Sequence, residues 1–97
     1  MKIIWSPLAL NKASEIVDYI NKDSPTAAEK WINEVFSKID TLGKYPEIGR
    51  IVPEINESQF REIIYGNYRI VYHFEVNQVS ILTILHVKQI LPPDEIN

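Results

Sequence analysis

Two serine–proline pairs set where helices can begin in this chain. Serine is favoured just before a helix, and proline fits the first helical position because its missing N–H would have no partner there. Ser6-Pro7 and Ser24-Pro25 are such pairs, and each precedes apolar residues at helical spacing. The pattern predicts one helix over Leu8–Lys22 and a second ending at Gly43, joined closely enough to form an antiparallel hairpin.

The rest of the chain is typical of strands and turns. A short β-branched and aromatic run, KIIWS, precedes the first helix. The segment KYPEIGRIVPEINES shows neither the helical nor the strand spacing of apolar residues, which predicts a connecting loop. Gly66-Asn67 and Asn77 mark turns between predicted strands at Phe60–Tyr65, Tyr68–Phe74 and Val79–Val87. The order βααβββ predicts an α+β fold with an N-terminal helical hairpin packed on one face of a small antiparallel sheet.

Length and composition bound the classes of protein. A chain of 97 residues with 45% apolar content has enough apolar residues for one core, so residues 1–97 are predicted to form a single domain. Cysteine is absent and only two histidines are present, so we expect neither a metal nor a cofactor. The N-terminal apolar run is broken by Pro7 and Lys12, which argues against a signal peptide or membrane span. We expect a cytoplasmic protein with no membrane partner.

The charge distribution argues against broad nucleic-acid binding. The formal net charge is −3, and proteins that bind phosphates without sequence preference usually carry a basic excess. The excess of negative charge lies in the second half of the chain, which has three basic and six acidic residues. They are Arg61, Arg69 and Lys88, and Glu54, Glu57, Glu62, Glu75, Asp94 and Glu95.

The few cations of the strand-rich segment are predicted to gather on one face. With Asn77-Gln78 as a two-residue turn, Val76 faces Val79 and Arg69 lies opposite His86, and a one-residue shift of the turn keeps both on the same side. We expect this side to be the open face, away from the helices. Its predicted members are Arg69, Val71, His73, Leu82, Ile84, His86 and Lys88.

Arg61 has two possible positions. A two-residue Gly66-Asn67 turn pairs Ile64 with Arg69 and places Arg61 on the opposite face. A three-residue loop would instead bring Arg61 to the face of Arg69. The sequence leaves both alternatives open.

Several other polar residues have ordinary structural interpretations. Glu54 and Glu57 are expected at a solvated loop edge, and Glu62 is a candidate to neutralise Arg61 beside it. Arg50 either contacts a partner or bonds loop carbonyls. The aromatic residues Trp5, Trp31 and Phe36 fall at strand and helical spacing and are predicted to lie in the core.

Nearly the whole chain resembles the RelE/ParE toxin superfamily of bacterial type II toxin–antitoxin systems, most closely its ParE-like branch. The resemblance rests on the fragments WSPLAL, IVDYI, SPTAAEKW, LGKYPEIGRIVPE, FREIIYGNYRIVYHF and ILTILHVK in this order and spacing. The fold of the superfamily agrees with the predicted βααβββ order. The resemblance implies a toxin held inactive by a cognate antitoxin.

The same resemblance implies candidate site residues. Arg69 matches the arginine of the superfamily's Tyr-Arg-x-x-Tyr strand, and His86 and Lys88 match the His-x-Arg-like end of the last strand. Lys88 loses the bidentate geometry of an arginine. In a nuclease, Arg69 would stabilise a charged transition state and His86 would move a proton. The C-terminal tyrosine of active nuclease members has no counterpart in residues 90–97.

Three functions follow from the resemblance. The first is a ParE-like toxin that poisons DNA gyrase, favoured because an acidic chain suits a protein target; the second is a RelE-like endonuclease acting on mRNA at the ribosome. The third is a degenerate member that binds antitoxin without toxicity. We expect the antitoxin to cover the helical hairpin and the open face. The predicted binding residues are Arg50, Arg61, Arg69, Val71, Leu82, Ile84, His86 and Lys88.

Overall fold

A computed structural model describes residues 1–96 of the chain. Its elements, in order, are β1 (Lys2–Trp5), α1 (Pro7–Asp23), α2 (Pro25–Leu42), β2 (Arg50–Ile51), β3 (Phe60–Tyr65), β4 (Tyr68–Phe74), β5 (Gln78–His86) and a 3₁₀ turn (Pro93–Ile96). None of the helices in this part of the chain is long and apolar enough to cross a membrane.

Both serines act as helix caps. The Ser6 hydroxyl accepts a hydrogen bond from the Ala9 N–H at 2.9 Å, and the Ser24 hydroxyl accepts one from the Ala27 N–H at 3.1 Å. Each serine is extended and is followed by proline, as the sequence predicts. The hairpin is confirmed because the cap of α2 follows α1 without any intervening loop.

The five strands form one sheet in the order β1-β5-β4-β3-β2. The predicted α+β fold is confirmed, and the sheet is antiparallel except where β1 runs parallel to β5. Strand β2 was not predicted. It lies inside the segment interpreted as a loop, and its two residues pair with Arg61 and Glu62 of β3.

A β-bulge changes which residues of β5 face the helices. Tyr72 pairs with Ile81 but Val71 pairs with Thr83, so Leu82 is the extra residue on β5. The Leu82 carbonyl instead accepts a hydrogen bond from the Ser6 hydroxyl at 2.7 Å. Because side chains alternate along a strand, one extra residue moves every later side chain of β5 to the other face.

The two faces of the sheet are covered by different parts of the chain. On the helix face, α1 and α2 pack on Ile70, Tyr72, Val79, Ile81 and Ile84. On the other face, which we call the tail face, Val71 and Leu85 pack with Val52 of the β2–β3 loop and Leu91 of the C-terminal tail. The predicted open face is therefore covered by the chain itself.

The aromatic core predictions were partly right. Trp31 is 7% exposed and meets the Tyr68 ring edge to face, with ring centroids 5.4 Å apart. Phe36 is 46% exposed, so its assignment to the core was wrong. It lies beside the helical stripe that Trp31 occupies and contacts the ring of the half-buried Trp5.

Candidate functional site

Arg69 is buried at the centre of a charged network on the tail face. Its side chain makes two parallel hydrogen bonds to Glu54, from Nη1 to Oε2 at 2.8 Å and from Nη2 to Oε1 at 2.7 Å. Its Nε donates to Glu62 Oε1 at 2.8 Å, and Nη1 also donates to the Gln89 carbonyl at 2.8 Å. With 4% of its surface exposed, Arg69 has its guanidinium bound by its own chain.

Glu62 lies between two arginines. It is 1% exposed, accepts from Arg69 through one carboxylate oxygen and accepts from Arg50 Nε through the other. A buried carboxylate needs such partners because desolvation disfavours its charge. We call Arg50, Glu54, Glu62 and Arg69 the arginine clamp. The hypothesis that Glu62 neutralises Arg61 was wrong because their side chains lie on opposite faces of β3.

Glu54 connects the clamp to the C-terminal tail. Its Oε2 accepts a hydrogen bond from the Leu91 N–H at 2.7 Å as well as from Arg69. The prediction that Glu54 sits at a solvated loop edge was partly right: the residue is exposed as a whole, but its side chain is only 25% exposed and holds Arg69. The clamp therefore ties the loop before β3, the strands β3 and β4, and the tail into one unit.

The clamp shifts the ionisation of both partners. Hydrogen bonds from Arg69, and a further one from the Leu91 N–H, lower the pKa of Glu54 to about 2 against the opposing effect of burial. The carboxylates of Glu54 and Glu62 raise the pKa of Arg69. Both charges are thus fixed across the whole physiological pH range.

His86 lies on the other side of the sheet from Arg69. Tyr68 is its cross-strand neighbour, and the two rings meet edge to face at 5.8 Å, whereas Arg69 pairs with Leu85. The prediction that Arg69 faces His86 was wrong because the bulge at Leu82 reverses the later part of β5. The structure does not bring these two candidate catalytic residues together.

His86 borders a shallow groove between α1 and the ends of β4 and β5. The groove has a volume of about 520 Å³, and Lys12, Tyr19 and Tyr68 also line it. The Lys88 N–H donates to His86 Nδ1 at 3.2 Å, which leaves the other ring nitrogen as the one available to a ligand. Lys88 itself is exposed at the end of the strand.

Arg61 occupies the first of its two predicted positions. Ile64 pairs with Arg69, so the Gly66-Asn67 turn has two residues and Arg61 lies on the face opposite Arg69. Its guanidinium donates to the carbonyls of Ser58 at 2.7 Å and of Glu47 and Gly49 at 3.1 Å each. Arg61 therefore fastens the loops that flank β2.

The apolar residues predicted on the open face are not free. Val71 is fully buried under the tail, and Ile84 is buried on the helix face after the bulge. Leu82 is half-buried. The expectation that an antitoxin would find Val71 and Ile84 exposed was wrong, because the β2–β3 loop, the tail and the helices already cover them.

Sequence reasoning missed a second anchor for the loop before β2. The Tyr72 hydroxyl accepts from the Gly49 N–H at 3.0 Å and donates to the Pro46 carbonyl at 2.7 Å, and burial raises the pKa of Tyr72. A Cβ at Gly49 would lie 2.6 Å from both the Glu62 carbonyl oxygen and the Tyr72 hydroxyl. The glycine in PEIGR was the available signal for this close approach.

The charged groups do not form a metal site in residues 1–96. No group of three or more histidine, aspartate or glutamate side chains in this part of the chain is arranged to hold a metal ion. The carboxylates that do converge, Glu54 and Glu62, are bound by arginines. The arrangement holds a tail and a loop in place.

The chain is similar in sequence to a protein family and to two known proteins. Residues 3–91 match the family model of the ParE toxin of the type II toxin-antitoxin system, parDE. The chain is 33% identical over 92 residues to Y4kP, a presumed toxin of Sinorhizobium fredii, with coverage of 94% of this chain and 93% of the relative. It is 30% identical over 90 residues to the toxin RelE2 of Caulobacter vibrioides, with coverage of 92% and 98%.

A solved structure shares the architecture. The chain superposes on a protein from a chromosomal ParDE toxin–antitoxin system of P. aeruginosa with a TM-score of 0.71, covering 89% of this chain and 95% of the other. At 18% identity, this likeness concerns the fold alone.

Proposed function

The chain belongs to the ParE family of toxins of type II toxin–antitoxin systems, and from that premise we propose that it arrests bacterial growth in the cytoplasm by poisoning DNA gyrase. Its cognate antitoxin neutralises it by binding the toxin directly. The toxin needs no cofactor for this action, since the inhibition works through protein contacts.

The state of Arg69 supports a protein target over RNA cleavage. A nuclease built on this arginine needs the guanidinium free to meet a phosphate and near a group that moves a proton. Here Glu54 and Glu62 already occupy the guanidinium, and His86 lies on the other face. The net charge of −3 is also a poor match to the ribosome and its RNA.

Ribosome-dependent cleavage of mRNA is the second candidate. The 30% identity to a protein named RelE2 favours it, and so does the placement of His86 in a groove with Lys12 and two tyrosines. Cleavage on that side of the sheet would use His86 without Arg69. Glu15, which lines the same groove, partly offsets the charge of Lys12.

Two assays on the purified protein separate the candidates. Gyrase poisoning predicts loss of supercoiling without ribosomes, and His86→Ala should keep this effect because inhibition through protein contacts does not require a side chain that moves a proton. Cleavage of mRNA only in the presence of ribosomes, abolished in His86→Ala, would replace gyrase with the second candidate.

A negative result in both assays also has a meaning. If the protein neither inhibits gyrase nor cleaves mRNA but still binds its antitoxin, it is a non-toxic member that retains only the antitoxin-binding surface.

The matched variant Tyr19→Ala, which alters the same groove at a largely exposed position, shows whether an effect of His86→Ala is specific to the imidazole.

A further inference from the structure

The outer edge of β3 is only partly covered. Strand β2 is the last strand of the sheet, and its two residues pair with Arg61 and Glu62 alone. Within residues 1–96, Ile63–Tyr65 therefore have no strand on their outer side. An uncovered strand edge presents backbone N–H and C=O groups that another extended chain can pair with.

An apolar groove runs beside this uncovered edge. It has a volume of about 370 Å³ and lies between α2, which contributes Lys38 and Thr41, and the β2–β3 edge, which contributes Ile63 and Ile64. Ile48 also lines the groove and is 61% exposed, while Ile64 is 42% exposed. We call this feature the edge groove. Its size and apolar lining suit a few side chains of an extended segment.

The charges at the edge groove are positive although the chain as a whole is acidic. Lys38 and Arg50 line it together with one acidic residue, Glu62. The charge of Glu62 cancels that of Arg50 and the charge of Glu54 cancels that of Arg69, so Lys38 supplies the net positive charge. Lys38 lies over the Tyr65 ring, with Nζ 5.3 Å from the ring centroid, so its ammonium is held at the rim. The Arg50 side chain is 60% exposed. An acidic segment would complement this rim.

We propose that the edge groove receives an extended segment of the cognate antitoxin whose apolar residues alternate with acidic ones, and that this segment adds a strand to the outer edge of β3. The inference rests on the proposed toxin function. Strand addition supplies backbone hydrogen bonds, the groove accepts alternate apolar side chains, and Lys38 and Arg50 select the carboxylates between them. This location replaces the tail face, where the chain already covers its own apolar residues.

Binding of the antitoxin to variant toxins tests the location. The probes are the cognate antitoxin, taken from the reading frame next to that of the toxin, and overlapping short peptides that cover its length. We expect Ile64→Lys and Lys38→Glu each to weaken the complex by on the order of tenfold or more, measured by titration calorimetry. The matched control is Val76→Lys at the β4–β5 turn, where an equally apolar residue is 87% exposed, and it should bind normally.

Hydrogen exchange supplies a readout that does not depend on substitution. In the complex, the outward-facing amides within Ile63–Tyr65 should become protected, and the best-binding peptide should carry the alternating apolar and acidic pattern. Far-ultraviolet circular dichroism checks that the variants fold. If Ile64→Lys perturbs the strand, Ile64→Thr is the second variant, because threonine keeps a β-branched side chain. We expect it to weaken binding less than Ile64→Lys does in a folded protein.

The outcomes separate this inference from the proposed function. If the antitoxin neutralises the toxin but both edge variants bind normally and the β3 amides stay unprotected, the edge groove is not the site, and the toxin function stands. If the unmodified chain neither arrests growth nor binds the antitoxin, both proposals fail.

Discussion

The two faces of the sheet are held by different physical means. On the helix face, Trp31 and its neighbours pack against apolar strand residues without any charged group in the cluster. On the tail face the apolar cluster is smaller, and an arginine on the same face binds two carboxylates and a carbonyl. The comparison shows that Arg69, a cation in a strand pattern, has a structural role in this chain.

The difference decides how each face responds to substitution. Apolar burial is non-directional and scales with the area removed from water, so the helix face depends on volume and shape. Replacing both partners of a buried ion pair with apolar residues changes the stability little. Removing one partner leaves an uncompensated buried charge. The tail face should therefore be sensitive to the identity of each charged residue.

The largest effect is expected on the helix face. Trp31→Ala should lower the free energy of unfolding by about 3 to 5 kcal/mol, because it removes a buried aromatic side chain and leaves a cavity. Urea unfolding followed by circular dichroism measures the loss. Phe36→Ala is the control, since Phe36 lies on the same helix but is 46% exposed, and it should cost much less. Equal costs would show that the two positions are not buried as described.

On the tail face, Arg69→Met should cost about 3 kcal/mol of unfolding free energy. The substitution keeps side-chain length, but among residues 1–96 it leaves Glu62 with Arg50 as its only cationic partner and leaves Glu54 without one. Arg61→Met is the control, because Arg61 binds carbonyls rather than buried carboxylates. A variant Arg69→Met as stable as the parent would remove the distinction between the two faces.

The pH dependence of stability should also reside on the tail face. Glu54 has a folded pKa of about 2 against an ordinary value of 4.5, so its contribution is complete above pH 4.5 and is lost as the pH falls toward 2. At neutral pH this contribution is about 2 kcal/mol after solvent screening of a partly exposed side chain.

Unfolding measured at a series of pH values checks this assignment. Glu54→Gln should flatten the acid-side decline of stability, whereas Glu57→Gln, an exposed carboxylate of the same loop, should leave it unchanged. An unaltered acid decline in Glu54→Gln would mean that another carboxylate is responsible.

The smallest effect is expected at His86. His86→Ala should cost about 0.5 to 1 kcal/mol, because the ring is only half-buried and its main contact is the edge-to-face pair with Tyr68. Thermal unfolding measures the difference. A cost as large as that of Arg69→Met would place His86 in the structural framework of the sheet and weaken its use as a test of nuclease activity.

The two helices and the longer strands were predictable from local signals. The serine–proline caps located both helices, and Gly66-Asn67 marked the turn between β3 and β4, although the sequence left its two-residue and three-residue forms open. These features depend on residues close together in sequence, for which side-chain capping and turn geometry are strong constraints. The fold class followed from the order of these helices and strands along the chain.

The candidate site was not predictable in the same way. The extra residue Leu82 carries no turn or glycine signal, yet it moves His86 away from Arg69. The bond between Glu54 and Arg69 depends on the path of the β2–β3 loop and on the tail that reaches it through Leu91. Contacts of this kind follow from tertiary packing, and the sequence pattern contains only the charges.

The central claim is that Arg69 is held by its own chain, and a double-mutant cycle with Glu54 tests it most directly. The free energies of unfolding of the parent, Arg69→Met, Glu54→Gln and the double variant give the coupling between the two side chains. The bidentate geometry predicts a coupling of about 2 kcal/mol at neutral pH. A coupling near zero would contradict the account, because it would mean that Glu54 does not hold the guanidinium.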